Sequence, residues 1–232
     1  MRPWFLVLAL AACSPAVERQ LTGGAAPAAL PEPLTHYMGR EIATTMHWTG
    51  ADWLLRETRE DEERSSRMLD ALGVRRGSVV CDFGCGVGFH TLTLAELTGP
   101  EGRVYAVDIQ PEMLEQLGER VAAAGIRNVE MILGGPADPR LPEGACDLIL
   151  CVDVYHELGY PEQVLAGLRR ALRPGGRLAL VEFRTEDPNV PIKPVHKMSK
   201  AQVLLELEAN GFRLESEHDG LPWQHLMFFV AR

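Results

Sequence analysis

From residue 79 onward the chain alternates two rhythms of apolar residues. Short, nearly continuous apolar runs, such as Val79-Val80-Cys81-Asp82-Phe83, alternate with stretches whose apolar residues stand three and four apart, such as Met113, Leu114, Leu117 and Val121. The first rhythm predicts strands buried on both faces, the second amphipathic helices. Strands are expected at 79–83, 103–107, 129–133, 147–152 and 177–183, with helices through Leu97, from Pro111, over 161–172 and over 200–209. Pro111 suits a first helical turn, and Ser199 with Gln202 has capping-box spacing. Arg173-Pro174-Gly175-Gly176 has the fixed φ and the tolerant glycine of a type II turn. Two last strands, 212–217 and 225–230, are expected as a hairpin-like pair at the sheet edge. Strands alternating with helices imply a parallel, doubly wound α/β sheet, because each parallel crossover needs a helix to cover a sheet face. Before it, residues 39–73 read as helical, with Ile42, Met46, Trp53, Leu54, Met68, Leu69 and Leu72 as candidate buried positions. We therefore expect an N-terminal helical cap over 37–76 and the main domain over 77–232.

Composition narrows this picture only at a few points. A chain of 232 residues with 46% hydrophobic content supports one sizeable core. Its formal charge of −9, with no basic cluster interleaved with aromatics, argues against nucleic acid as a partner. Residues 56–64, Arg-Glu-Thr-Arg-Glu-Asp-Glu-Glu-Arg, read as a solvated helix face held by i,i+4 pairs; the other reading places Arg56 and Arg59 over an anionic ligand. Cys81, Cys85, Cys146 and Cys151 lack the paired spacing of a zinc site and are expected as core or loop residues. No metal site is expected.

The first thirteen residues form a separate problem. Arg2 precedes an apolar stretch at 3–12 that is too short to span a bilayer, and Leu10-Ala11-Ala12-Cys13 resembles the bacterial lipoprotein signal. That resemblance implies a lipid-anchored Cys13 at the cell envelope, followed by an Ala/Pro-rich tether over 14–36. The alternatives are a mis-assigned start, with a cytoplasmic protein, or a buried N-terminal segment.

The densest signal is Asp82-Phe83-Gly84-Cys85-Gly86-Val87-Gly88. An apolar run entering closely spaced glycines and then a helical pattern is a strand, a tight turn and a helix start, where α/β folds hold nucleotides. The glycines allow positive φ and let backbone amides approach a ligand closely. A dinucleotide fingerprint reads GxGxxG; here the spacing is GxGxG behind an aspartate, which disfavours a nicotinamide-dependent reductase. Asp108 ends the second strand, well placed to accept two hydrogen bonds from a ribose diol, with an N-cap role for the helix at Pro111 as the alternative.

The Asp82–Gly88 frame resembles the first motif of the class I S-adenosylmethionine-dependent methyltransferases, and residues 77–183 carry the likeness through Asp108, the 133–138 segment and the turn at 173–176. The resemblance implies a Rossmann-like, seven-stranded, mostly parallel sheet with an antiparallel C-terminal strand. It implies S-adenosyl-L-methionine as cofactor, held by Asp82, Gly84, Cys85, Gly86, Gly88, Asp108, Ile109, Ala137, Asp138 and Asp153. Within that set Asp82 lies near the cofactor's amino group, Asp108 at its ribose and Asp138 toward its adenine.

After the fourth strand, Asp153-Val154-Tyr155-His156-Glu157 falls on the carboxyl edge of the sheet, the usual ligand crevice. Tyr155 and His156 are therefore catalytic candidates, His156 as a base and Tyr155 as its positioner; the alternative packs Tyr155 under the cofactor and spends His156 on the backbone. The proline-punctuated stretch 182–198 is expected as a lid carrying Glu182, Arg184, His196 and Lys197, with His196 the third catalytic candidate, and His225 as a residue of the far wall or an ordinary strand histidine. No Asn-Pro-Pro-Tyr signature occurs, which favours a small-molecule methyl acceptor. Because the cofactor is made in the cytosol, an exported protein would need another supply, so a non-catalytic binding module at the envelope is the competing reading.

Overall fold

The computed structural model describes residues 30–232, so the apolar stretch, Cys13 and most of the tether lie outside the described residues. The chain divides into Met1–Pro31 and Glu32–Arg232, and the second unit carries all that follows. It begins with a hairpin of β1 (His36–Tyr37) and β2 (Arg40–Glu41), and continues through helices α1 (Ala51–Leu54), α2 (Arg59–Glu63) and α3 (Ser65–Leu72). Then come β3 (Val79–Phe83), α4 (Phe89–Thr98), β4 (Arg103–Asp108), α5 (Pro111–Ala123), β5 (Val129–Leu133) and β6 (Cys146–Val152). The chain closes with α6 (Pro161–Ala171), β7 (Leu172–Arg184), β8 (Lys197–Met198), α7 (Lys200–Ala209), β9 (Phe212–His218) and β10 (Gln224–Ala231).

The main sheet runs β5-β4-β3-β6-β7-β10-β9, with the short β8 parallel to the end of β7. β3 to β7 pair in parallel, whereas β10 is antiparallel to both β7 and β9. This is the expected mixed α/β fold. The chain winds outward through β3, β4 and β5 and then crosses back to β6, so the switch point lies between β3 and β6, where open α/β sheets take their ligands.

Alternation along the strands sends successive residues to opposite faces. Cys81, Phe83, Ile149, Cys151, Leu178 and Leu180 pack with Val164, Leu165 and Leu168 of α6 and Val203 and Leu207 of α7. Val80, Val104, Leu148, Leu150 and Ala179 face the other way, onto Met68, Leu69 and Leu72 of α3 and Leu94 of α4. Each fully buried aliphatic side chain contributes roughly 1.5–3 kcal/mol, so these two layers rigidify the strands whose ends carry the site. The four free cysteines of the described residues are buried, and burial pushes the thiol of Cys146 up to about 12.

Three expectations need correction. The 39–73 segment is a hairpin, an irregular stretch and three short helices, and only Met68, Leu69 and Leu72 of its candidates are buried. Trp53 is 48% exposed, with the Arg56 guanidinium 3.9 Å over its ring. Residues 37–47 take their form from contacts to the rest of the fold, Arg40 to Glu206 and Ala43 to the His156 carbonyl, and not from a helical repeat. Second, the turn at 173–176 is an inserted loop within β7, Leu172 pairing with Cys146 and Arg177 with Leu148; Gly175 sits at φ 80°, as a type II turn requires. Third, Arg59 and Glu63 of the 56–64 run are buried rather than solvated; the last two strands, by contrast, form the expected antiparallel pair at the sheet edge, β10 against β7 and β9 outermost.

Candidate active site

Gly84, Gly86 and Gly88 all take positive φ between β3 and α4. The amides of Gly84 and Cys85 donate to the carbonyl of Val107 at 2.8 and 3.0 Å, which ties the turn to the end of β4. Gly86 sits at φ 52°, and a Cβ there would lie 2.7 Å from Cδ1 of Leu54, so α1 closes over the turn and any side chain would have to displace that methyl group. One strand away, Asp108 is buried and accepts from the amides of Gly86 and Gln110, both at 2.9 Å. Burial raises its carboxyl, against the pull of those hydrogen bonds. The Gln110 amide belongs to the N-cap position of α5, which has no side-chain cap of its own, so Asp108 steadies the start of that helix as well as the glycine turn.

Beside the turn the site is anionic. Asp82 is buried, accepts from Oγ1 of Thr91 at 2.6 Å, and is pushed by burial up to about 6, against that hydrogen bond and the nearby Arg59. Asp153, at φ 53°, accepts from Nε2 of Gln224 at 2.6 Å through one oxygen, while its other oxygen, Oδ1, is buried without a hydrogen-bond partner. Burial and then the charges of Glu63 and Glu182 raise its pKa well above the usual range. A strained, half-satisfied buried carboxyl marks a place where binding is meant to finish the contacts.

The 56–64 segment is solvated along Glu57, Glu60, Asp61 and Arg64 and carries an i,i+4 pair as expected, but the pair itself faces inward. Arg59 and Glu63 are buried and paired at 2.8 Å, Arg56 also grips Glu62 and Glu63, and Nη2 of Arg59 lies 3.4 Å from Nε2 of His90. Arg59 also stacks 4.2 Å over Phe89 and donates to the carbonyl of Leu54, so its charge is spent on protein groups. His90, on the first turn of α4, has Nδ1 buried without a partner; burial, then Arg59, lowers its pKa well below the ordinary value.

On the other side of the switch point stands a carboxylate–imidazole–imidazole chain. Nδ1 of His156 lies 2.6 Å from Oε2 of the fully buried Glu182, and the His156 amide donates to Oε1 at 3.3 Å. Nε2 of His156 faces Nδ1 of His196 at 3.1 Å and Oε1 of Glu157 at 3.9 Å. Burial alone would lower the pKa of His156, but the charge and hydrogen bond of Glu182 outweigh it and the net shift is upward. Burial raises Glu157 to about 7, against the pull of His156. His196 is lowered, by burial first and then by His156 and Lys193.

Tyr155 points elsewhere. Its hydroxyl donates to Oε2 of buried Glu206 at 2.7 Å, and burial followed by the Glu206 charge lifts its pKa well above 10. Glu206 also holds Arg40 at 2.7 Å, and Arg40 donates to the carbonyl of His156 at 3.0 Å. Tyr155 thus anchors the loop against α7 and the N-terminal hairpin, and the structure takes it out of the acceptor-facing set. Of the remaining candidates, Lys197 donates to the carbonyls of Asp187 and Val190, and Arg184 to Leu221 and Gln224, which pins the lid segment. His225 is buried with Nε2 2.9 Å from the carbonyl of Met198, as a strand histidine would be. Asp138 is exposed and caps the Arg140 amide at 2.9 Å, Ala137 is half-buried, and Ile109 is 45% exposed beside Asp108.

Sequence reasoning missed Glu63, His90, Glu157 and Glu206 as polar groups of this region. His90 and Glu157 were detectable, because one follows the glycine turn and the other adjoins His156; Glu63 and Glu206 become visible only when α2 and α7 are folded onto the sheet. The N-terminal segment reaches the carboxyl edge at several points, among them Ala43 to the His156 carbonyl at 3.0 Å, Trp48 to Gln110 at 2.8 Å, and Leu54 over Gly86.

A doubly wound sheet with a glycine turn, a buried aspartate at the end of the next strand and a polar crevice at the switch point defines a cofactor-binding α/β protein. Residues 75–221 match the methyltransferase-domain family, and the chain belongs to it. It is 34% identical over 123 residues to the demethylmenaquinone methyltransferase of Listeria monocytogenes, covering 53% of this chain and 51% of that protein. It is 35% identical over 113 residues to the protein-L-isoaspartate O-methyltransferase of Methanothrix thermoacetophila, covering 49% and 51%. The chain thus spans about half the length of these curated relatives. The crystal structure of a SAM-dependent methyltransferase from Aquifex aeolicus superposes with a TM-score of 0.76 at 26% identity, covering 81% of this chain and all of that one. Family and neighbours indicate S-adenosylmethionine as the cofactor. The residues fit it: a cation with a diol meets buried Asp82, Asp108 and half-satisfied Asp153 around a glycine cradle.

Proposed function

We propose that this protein transfers a methyl group from S-adenosylmethionine to a small-molecule acceptor. The carrying observation is the Gly84–Gly88 turn bonded to Asp108 within an anionic, buried surround. Asp82 would hold the cofactor's amino group, Asp108 its ribose diol, and Ile109, Ala137 and Asp138 its adenine, while Gly84, Cys85 and Gly86 shape the cradle. When bound, the cofactor supplies an already activated sulfonium methyl group. The protein's own work is then alignment and exclusion of water. α1 closes over the turn through Leu54, and the N-terminal hairpin covers the loop after β6 through Arg40, so both would exclude water. Asp153, His156 and His196 would face the acceptor, with Glu182 fixing the His156 ring. The demethylmenaquinone relatives support a small acceptor, and no described helix is long and apolar enough to cross a membrane.

Calorimetry on the full chain tests this reading: S-adenosylmethionine should bind, and Asp108→Ala should weaken it about a hundredfold, as loss of two hydrogen bonds to a charged group implies. Wild-type protein that binds no cofactor would overturn the assignment. Accumulation of S-adenosylhomocysteine across a panel of phenols, quinols and thiols would then identify the acceptor. The Leu10–Cys13 resemblance supports a lipid anchor, and palmitate labelling that persists in Cys13→Ala would refute it.

A further inference from the structure

His156 presents one nitrogen to a carboxylate and the other to a second imidazole. Nδ1 of His156 donates to Glu182, so in the neutral ring Nδ1 carries the proton and Nε2 the lone pair. That lone pair points to where Nδ1 of His196 and the Glu157 carboxylate converge. The ligand atoms of His156, Glu157 and His196 all lie within 4.8 Å of one another. Two zinc–nitrogen bonds of about 2.0–2.1 Å at a tetrahedral angle span roughly 3.3 Å. The observed separations of 3.1 Å to His196 and 3.9 Å to Glu157 bracket that span. A carboxylate gripping the far nitrogen of a histidine is also the support that metal-ligating histidines use to fix tautomer and ring orientation. Glu182 supplies it, fully buried, from near the carboxyl end of β7. Charge agrees as well: Glu157 and Glu182 bring two carboxylates to the two imidazoles, while the nearby Arg40 is already paired with Glu206.

We propose that Nε2 of His156, Nδ1 of His196 and the carboxylate of Glu157 bind one divalent transition-metal ion of the zinc class, leaving a fourth position open. Two imidazoles and one carboxylate suit Zn²⁺ better than Mg²⁺ or Ca²⁺, which take oxygen ligands. A site with three protein ligands and an open position is of the reactive kind. It joins the loop after β6 to the 3-10 turn Pro194–His196 of the lid, so metal binding also pins the lid to the sheet edge. Resting on the methyltransferase reading, the open position takes the acceptor through an anionic oxygen or sulfur, a phenolate, enolate or thiolate held beside the cofactor.

The test uses the full chain, stripped with a chelator and titrated with zinc sulfate under competition. One equivalent should bind. His196→Gln, a change on the half-buried lid that leaves the core untouched, should weaken binding at least tenfold, and Glu182→Gln about ten- to a hundredfold as an orienting partner. X-ray absorption of the bound zinc should show imidazole nitrogen and oxygen near 2.0–2.1 Å with no sulfur. Binding of less than one equivalent, a sulfur ligand, or unchanged affinity in the His156→Ala/His196→Gln double variant would each overturn the site. S-adenosylmethionine affinity, measured on the zinc-free protein, separates the two readings. Cofactor binding without zinc binding sinks this site and leaves the methyltransferase reading; zinc binding without cofactor binding does the reverse.

Discussion

The two halves of the crevice are built by different means. The half proposed for the cofactor, Asp82 to Gly88 with Asp108, comes from two adjacent parallel strands and would recognise it through backbone amides and short carboxylates. The acceptor half gathers Asp153 and His156 from the end of β6, Glu182 from β7, His196 from the lid and Gln224 from β10, and adds Glu63 from α2 behind them. Local geometry suffices for the first, because a glycine turn after a buried strand has few ways to fold. The second exists only as an assembly, so its residues carry no common sequence spacing. A half made of backbone is hard to retune, whereas one made of side chains on four or five segments can change acceptor with few substitutions.

That contrast can be broken experimentally. The largest effect is expected from Gly86→Val, which puts a branched side chain at φ 52° and into Leu54; cofactor binding should vanish in calorimetry while α6 and α7 keep their packing in circular dichroism. Retained binding would show that the turn is not the cradle. Next, Tyr155→Phe removes a hydrogen bond to a buried carboxylate and should cost about 1.5–3 kcal/mol in denaturant melts. Turnover in the folded fraction should fall only a few-fold; a thousandfold loss with unchanged stability would return Tyr155 to catalysis.

Acid should weaken the cofactor half through Asp82. Its carboxyl, lifted by burial to about 6, must be ionised to hold an ammonium group, so affinity for S-adenosylmethionine should drop about tenfold per pH unit below 6 and level off above it. The stability of the unliganded protein carries the opposite sign, since burial favours the protonated form: the Asp82 contribution declines as pH rises from the ordinary aspartate range toward 6. Flat affinity from pH 4.5 to 7 would remove Asp82 from the amino-group site. The smallest effect is expected from Trp53→Ala, which should change stability by no more than about 0.5 kcal/mol, because the ring is half exposed and stacked only on Arg56.

Legibility in the sequence followed the range of the interactions. The strands, the caps at Pro111 and Ser199 and the turn at Gly175 were readable because each depends on neighbours within a few residues. The helical cap was misjudged because residues 37–63 take their shape from the sheet edge beneath them: Arg40 from Glu206, Ala43 from His156, Trp48 from Gln110. The charged run at 56–64 looked solvated because charge normally is, yet Arg59 and Glu63 satisfy each other under α1.

By itself, the sequence determined a doubly wound sheet, a glycine turn with GxGxG spacing and an aspartate one strand away, since hydrophobic period and backbone φ are local properties. Only the tertiary structure decided that Tyr155 serves Glu206 and that Glu182, His156, Glu157 and His196 meet around one point. Those groups lie up to forty residues apart, and it is the crossing of the chain at the switch point, with the lid folded back onto β7, that brings them within bonding distance.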